Sequence, residues 1–338
     1  MAIKDLLLRC ISFGLGCFYS TFVLFNLSLG FVKHPIAFFS RKKRDVMPSV
    51  LNDPDLGTHG YLHLEDVRIH YVAQGDESKP LMLFVHGFPE FWYSWRYQLR
   101  EFKKDYRVVA IDLRGYGESD KPSGVANYQM SKMVADLKQL IPALGYRSCV
   151  LVSHDWGGAI AWTFTAMHPE LVDKLIVMNC PHPGIFRSYM EKNMVQFKKS
   201  WYIFFFQVPF LPELMLRVND MKALERIFTG RKGGLTTGKC STDDIEAYKY
   251  AFSRPGAATA AINYYRATIR FPAKRIPKIS CPVLTIWGCK DTALETGLAA
   301  AADAVVDNHT VKYIEEASHW VMMDTPDKVN KHMTDFLK

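Results

Sequence analysis

Cys149-Val150-Leu151-Val152-Ser153-His154-Asp155-Trp156-Gly157-Gly158 is the stretch on which the reading of the chain turns. Its first four residues make an apolar run long enough for a buried strand. Small residues stand two before and two after Asp155, at Ser153 and Gly157. That spacing suits a nucleophile elbow, a strained strand-to-helix turn that lifts one side chain above a sheet while other backbone passes close by. The plainer reading keeps the strand and makes Asp155 an ordinary helix N-cap.

The tip of this elbow is a carboxylate and not a serine. A carboxylate attacks an electrophilic sp3 carbon and leaves an alkyl ester on the protein. Opening an epoxide or displacing a halide fits that chemistry. Ester hydrolysis fits it less well, because acyl transfer to Asp155 would give an anhydride.

Working outward, Leu81–Val85 is a continuous apolar run, expected for a strand covered on both faces. It ends in His86-Gly87-Phe88-Pro89, a loop placed to give an oxyanion donor beside the elbow. Earlier strands are expected at Tyr61–Leu64 and Val67–Ala73, and a helix at Phe91–Phe102. Tyr106–Ile111 is another strand, and the Asp112 and Arg114 that follow it read as loop braces. A helix over Tyr128–Leu144, the elbow with its helix Ala159–Met167, and a strand at Leu175–Asn179 complete an alternation of strand and helix. That alternation marks an α/β parallel sheet.

From His182 to about Pro277 the alternation stops. Aromatics and helical periods take over, with breaks at Pro209, Pro212, Pro255 and Pro272. This reads as a helical insertion over the strand ends, where open α/β sheets put their ligands. Trp201–Phe206 has the apolarity of a membrane dip, but Lys198, Lys199, Pro209 and Glu213 bound it, so it is assigned to the core of the insertion. The sheet pattern resumes at Val283–Trp287, followed by Asp291. A last strand, Thr310–Ile314, leads to Ala317-Ser318-His319-Trp320, and Thr325–Leu337 closes the chain as a helix.

The 338 residues are 49% hydrophobic and 22% charged, which suits one large domain with an insertion. No residue from Cys10 to Val32 is charged, a run long enough to span a bilayer. It is longer than a signal peptide requires, and an uncleaved signal anchor is expected. Much of the +8 net charge sits near it, in Arg41-Lys42-Lys43-Arg44. Beside an apolar span this reads as topology and lipid-surface charge, not as nucleic-acid binding. The flank after the span, with Lys33 and this cluster, is more positive than the flank with Lys4 and Arg9, which places the bulk of the protein in the cytosol. Seven scattered cysteines without a CxxC fit a reducing compartment. There is no zinc spacing and no nucleic-acid module, and no cofactor or metal is expected.

Asp155, Asp291 and His319 follow one another in the order nucleophile, acid, base, each just after an expected strand. His319 would draw a proton from water, and Asp291 would fix its tautomer. Asn179 ends a strand too but is not ionisable, and Asp307 and Asp324 are rivals weaker by position. With these residues in view, Ser153–Gly158, His86–Glu90, Trp92–Gln98, Asp112–Gly117 and Ala317–Trp320 together resemble α/β-hydrolase-fold epoxide hydrolases, nearest the membrane-anchored types 3 and 4. The resemblance runs from about Asp53 to the C-terminus.

It implies an α/β-hydrolase fold, a mostly parallel sheet with a helical cap after the sixth strand. It also implies two cap tyrosines that protonate the epoxide oxygen, Tyr265 in one role and Tyr202 in the other, and an oxyanion hole from the N–H groups of Phe88 and Trp156. His86, Pro89 and Trp320 are expected to line the substrate pocket. The implied substrate is a small epoxide, lipid-derived given the aromatic cap and the anchor. The implied location is the endoplasmic reticulum or microsomal membrane. The chain then divides into a tail (1–9), anchor (10–32), basic linker (33–56), hydrolase core (57–181), cap (182–277) and second core part (278–338). A haloalkane or haloacid dehalogenase is the alternative on the same fold, for which Trp156 would serve as a halide donor but Phe88 stands where an Asn is common. A catalytically inactive membrane-anchored binding protein is a third reading, and it would require a lost nucleophile, acid or base.

Overall fold

The computed structural model describes residues 2–237, 240–272 and 276–338, and side chains from residue 6 onward. Met1, the side chain of Lys4, and residues 238–239 and 273–275 within the expected cap lie outside the described residues.

Eight strands form one sheet: β1 (Thr58–His63), β2 (Arg68–Gln74), β3 (Leu81–Val85), β4 (Arg107–Ile111), β5 (Cys149–His154), β6 (Val172–Met178), β7 (Val283–Gly288) and β8 (His309–Ile314). Their order is β1-β2-β4-β3-β5-β6-β7-β8. The β1–β2 and β2–β4 pairs are antiparallel and the rest parallel. Every residue of β3, β5 and β7 is buried, because helices cover both faces of the sheet. This is why these strands read as unbroken apolar runs. Each fully buried Leu, Ile or Val contributes about 1.5–3 kcal/mol relative to exposure. The strand order reverses direction between β3 and β5, so a crevice opens at their carboxyl ends.

The helices are α1 (Ala2–Lys33), α2 (Pro35–Phe39), α3 (Arg96–Phe102), α4 (Met130–Ala143), α5 (Trp156–Met167), α6 (Pro183–Lys192), α7 (Met194–Lys199), α8 (Trp201–Phe205), α9 (Leu211–Thr229), α10 (Thr242–Ser253), α11 (Ala257–Arg270), α12 (Gly297–Ala300), α13 (Val321–Asp324) and α14 (Pro326–Leu337). Helices α6 to α11 all follow the sixth strand, where the sequence places the insertion. Ser241 and Asp244 form a capping box that starts α10. The helix expected at Phe91–Phe102 begins as a 3-10 turn, Trp92–Trp95, before becoming α3. Phe204, Phe205 and Phe206 are buried, so this segment is core and not a membrane dip.

The N-terminal region shows two features that the sequence reading lacked. The apolar run Cys10–Val32 belongs to a helix that starts at Ala2, so the tail is helical too. The basic cluster is largely paired with protein. The Arg44 guanidinium is 4% exposed and reaches Asp220 at 2.6 Å and Glu246 at 3.2 Å, while Lys42 pairs with Glu246 at 3.0 Å. Acidic residues roughly 180–200 positions away neutralise charge that local sequence assigns to a lipid surface. By length and composition, Leu6–Lys33 is the one candidate membrane span among the described residues.

Candidate active site

Asp155 stands between β5 and α5 with φ 49° and ψ −121°. A left-handed φ on a non-glycine residue costs on the order of 1–3 kcal/mol and persists only where its surroundings fix it. Here the constraint is close backbone contact. A Cβ on Gly157 would lie 2.2 Å from the Val85 carbonyl oxygen, and one on Gly87 would lie 2.4 Å from the Asp155 Cβ. Asp155 makes no side-chain cap to α5, which removes the N-cap reading. Its Oδ1 instead accepts from the Phe88 N–H at 2.7 Å.

The other ends of the parallel strands supply the partners. His319, after β8, points Nε2 at Asp155 Oδ2 across 3.6 Å and donates from Nδ1 to Asp291 Oδ2 at 2.6 Å. Asp291, after β7, is held in turn: its Oδ1 accepts from the N–H groups of Ala293 (2.7 Å) and Leu294 (2.9 Å). Asn179, after β6, donates from Nδ2 to Asp291 Oδ2 at 2.8 Å and receives the Gly288 N–H at 2.8 Å on its Oδ1. Sequence reasoning noticed Asn179 only to reject it as an acid. Its role as a brace for the acid needs the parallel β6–β7 pairing, which no local motif reports. The two rival acids lie elsewhere: Asp307 pairs with Lys278, and Asp324 accepts from the N–H groups of Thr236, Thr237 and Ser318.

A second buried pair, absent from the sequence expectations, supports the first. His154 donates from Nε2 to the His319 carbonyl oxygen at 2.9 Å and sets Nδ1 against Glu90 Oε2 at 2.7 Å. Glu90 also accepts from the Gly87 N–H at 2.8 Å. The elbow, the base loop and the loop after β3 are therefore tied together beneath the site.

Electrostatics follow from this packing. Burial raises the Asp155 carboxyl, but the His319 contact, the neighbouring histidine charges and the Phe88 N–H outweigh it and hold it below the ordinary carboxylate range. Asp291 is lowered in the same way, against its burial, by His319 and Asn179. Burial disfavours a charged His319, yet Asp291 and Asp155 together push it up to about 10.

From the cap, Tyr265 on α11 and Tyr202 on α8 meet with ring centroids 5.8 Å apart. Tyr265 also packs edge-on against Trp156 at 5.0 Å and Phe88 at 5.4 Å. Burial, with Asp155 adding its charge, raises both phenols well above the usual range, so both hold their protons at neutral pH. Trp156 is the first residue of α5, so its N–H is among the free donors of a helix start.

The three motif residues expected to line the pocket are all buried. His86 is fully buried and spends both ring nitrogens on backbone, donating to the Gly87 carbonyl and accepting from the Leu113 N–H. Trp320 donates to the Gly233 carbonyl and packs on His319 at 4.8 Å. Pro89 follows the cis Phe88–Pro89 peptide and is buried. The loop braces hold as expected: Asp112 accepts from the N–H groups of Trp92 and Glu118, and Arg114 binds Asp136 with two 2.5 Å bonds.

Known proteins resemble this chain in sequence and in fold. The α/β hydrolase fold family matches residues 80–326. Human epoxide hydrolase 4 is 47% identical over 316 residues, covering 92% of this chain and 87% of the relative. Epoxide hydrolase 3 of Xenopus tropicalis is 43% identical over 309 residues, covering 90% and 84%. The crystal structure of a Bacillus megaterium epoxide hydrolase in complex with an inhibitor matches with a TM-score of 0.77 at 36% identity, covering 82% of this chain and 99% of that one. This kinship sets aside the dehalogenase and the inactive binding protein. The chain belongs to the α/β-hydrolase-fold epoxide hydrolases, a family of enzymes, alongside relatives named epoxide hydrolases 3 and 4.

Proposed function

We propose that the protein converts lipid-like epoxides to vicinal diols in two half-reactions through an ester on Asp155. In the first, an Asp155 oxygen attacks one ring carbon and the C–O bond to the epoxide oxygen breaks. Tyr202 and Tyr265 hydrogen-bond that oxygen and supply its proton; their raised phenol pKa values keep the hydroxyls protonated and ready to donate. In the second, His319 takes a proton from water, and the water oxygen attacks the ester carbonyl carbon. The tetrahedral oxyanion rests on the Phe88 and Trp156 N–H groups; its collapse breaks the ester C–O bond, the leaving alkoxide takes the proton from His319 to give the diol, and the Asp155 carboxyl passes its proton to His319 to restore the carboxylate.

The observation that carries this reading is the position of the Asp155 carboxylate. It occupies the strained elbow, with one oxygen on a backbone N–H and the other 3.6 Å from a histidine already oriented by a second carboxylate. The charge balance supports two steps. At rest His319 sits between two anions and carries a proton. Esterification makes Asp155 neutral and removes one of the two influences that raise His319, so the imidazolium gives its proton up to the tyrosinate left by ring opening and becomes a competent base only then.

The reading extends to location. Helix α1, held against the cap at Arg9 and again through the Ser40–Arg44 segment, keeps the chain on a microsomal membrane by its outer apolar face, with residues 57–181 and 278–338 as a cytosolic hydrolase core and 182–277 as its cap. Outward-facing Leu7, Ile11, Phe18, Phe22, Phe25 and Leu29 recur every three or four residues, with a gap only at Gly14, and support lipid contact on that side. An aromatic cluster of Phe88, Phe206, Phe252, Trp156 and Tyr265 over Asp155 favours an apolar substrate. Intact-mass analysis of His319→Gln after exposure to a terminal aryl epoxide tests the mechanism. A stoichiometric adduct is expected, and its absence in a folded variant would contradict the ester route.

A further inference from the structure

Helix α1 does more than present an apolar face to lipid. Its opposite face carries Ser12, Gly16 and Ser20, all buried and spaced by four, a pattern that lets helices approach closely. The neighbour is α8. A Cβ on Gly16 would lie 2.5 Å from the Phe204 carbonyl oxygen and 2.9 Å from Val208 Cγ2, so the two backbones are in contact there. One turn on, Tyr19 meets Trp201 with centroids 6.0 Å apart. One turn earlier than Ser12, Arg9 donates from Nη2 to the Arg270 carbonyl oxygen at 2.7 Å, at the end of α11 where a cation is favourable.

A second clasp follows. The Asp220 N–H donates to the Ser40 carbonyl oxygen at 3.0 Å, and the Asp220 carboxylate accepts from the Lys42 N–H at 2.9 Å and from Arg44 at 2.6 and 2.7 Å. Asp220 lies in three successive left-handed residues, Asn219, Asp220 and Met221, inside α9. Left-handed backbone is strained for residues with a side chain, and the bonds to the N-terminal segment help hold this turn in place.

Besides α2 and α9, α1 touches α8 most extensively and then α11, the two helices bearing the tyrosines. Trp201 and Phe204 flank Tyr202 on α8, and Arg270 ends the helix of Tyr265. Gln207 ties them together, donating from Nε2 to the carbonyl oxygens of Ile203 (2.9 Å) and Tyr265 (3.1 Å).

We propose that α1 is a positioning element for epoxide ring opening, in which Gly16 seats α8, Arg9 holds the end of α11, and the two together set the aim of Tyr202 and Tyr265. The inference rests on the reading of those tyrosines as proton donors. Asp155, Asp291 and His319 stand at the ends of sheet strands, and among the described residues no hydrogen bond or ion pair joins them to α1. A disturbance of α1 therefore slows formation of the Asp155 ester and spares its hydrolysis.

The test uses the full chain in phospholipid nanodiscs with trans-stilbene oxide under single-turnover conditions, following formation and decay of the alkyl-enzyme separately. Gly16→Leu is expected to slow formation by about tenfold or more, since misplacement by an ångström is that costly, while decay stays within about twofold. Gly14→Leu puts the same side chain where a Cβ meets nothing within 4 Å and is expected to leave both steps unchanged. Arg9→Gln, an exposed change that does not threaten folding, is expected to slow formation by a smaller factor with decay preserved. Equal effects of Gly14→Leu and Gly16→Leu, or equal slowing of both steps in Gly16→Leu and no selective effect in Arg9→Gln, would overturn the proposal. Tyr202→Phe and Tyr265→Phe run alongside. If they slow formation and the α1 variants do not, the inference alone fails; if they leave it unchanged, the reading of the tyrosines fails and the inference with it.

Discussion

His319 Nε2 and Asp155 Oδ2 are 3.6 Å apart, beyond a good hydrogen bond yet close enough for each charge to govern the other's protonation. In the proposed mechanism the pair would couple the two half-reactions, because the nucleophile loses its charge when it becomes an ester.

The first prediction is electrostatic. Asp155→Asn keeps the shape and removes the charge, so the His319 pKa is expected to fall from about 10. NMR titration of labelled histidines, with His319→Gln to assign the signal, reads this directly. The same coupling shapes stability. His319 is raised above its unfolded value of about 6.5, so its contribution is complete below that pH and is lost as pH climbs through about 10. The wild-type Tm is expected to fall more steeply over this window than that of His319→Gln. Parallel curves would show that the ion pair does not form.

The cap tyrosines make a second prediction. Tyr265→Phe and Tyr202→Phe each remove one hydroxyl and leave the packing, and each is expected to slow ring opening. The double variant is expected to lose on the order of 10²–10⁴ in rate, the usual range for a general acid. Stopped-flow formation of the alkyl-enzyme is the measurement. Wild-type formation in the double variant would place the acid elsewhere.

Asn179→Ala is the third. It removes the donor to Asp291 Oδ2, one of the contacts that hold the orienting acid. A hydrogen bond to a charged group is worth about 1.5–3 kcal/mol, so ester hydrolysis is expected to slow roughly 10- to 100-fold, with ring opening much less affected. A variant slowed equally in both steps would show that Asn179 acts through general stability.

Orientation gives the fourth. Asn308-His309-Thr310 is a glycosylation acceptor, and Asn308 is exposed just ahead of β8. With the catalytic part in the cytosol it stays unmodified. A glycosidase-sensitive mass shift in cells, lost in Asn308→Gln, would reverse the orientation.

The sheet and the elbow were legible in the sequence for one physical reason. Strands such as β3, β5 and β7, covered on both faces, must be apolar at every position, and a strained turn in close contact with other backbone must be flanked by small residues. Asp155 and Asp291 could be picked out because each follows such a strand, and His319 because it follows the last strand, β8, although that strand lies at the sheet edge and is only partly buried. Asn179, Glu90 and His154 could not, since their roles depend on which strand ends become neighbours. The N-terminal clasp was hidden by distance. Arg44 meets Asp220 and Arg9 meets Arg270 across 176 and 261 residues, so the local pattern showed only a basic cluster beside an apolar helix.

The central claim is that the diol's first oxygen comes from Asp155. Excess enzyme given limiting epoxide in oxygen-18 water turns over once. Mass spectrometry of the diol and of the peptide containing Asp155 then locates the label. The account predicts largely unlabelled diol and oxygen-18 retained on Asp155, because water attacks the ester carbonyl and leaves its oxygen in the restored carboxylate. Labelled diol in that first turnover, with an unlabelled Asp155 peptide, would mean that water opens the epoxide directly and that Asp155 is not the nucleophile.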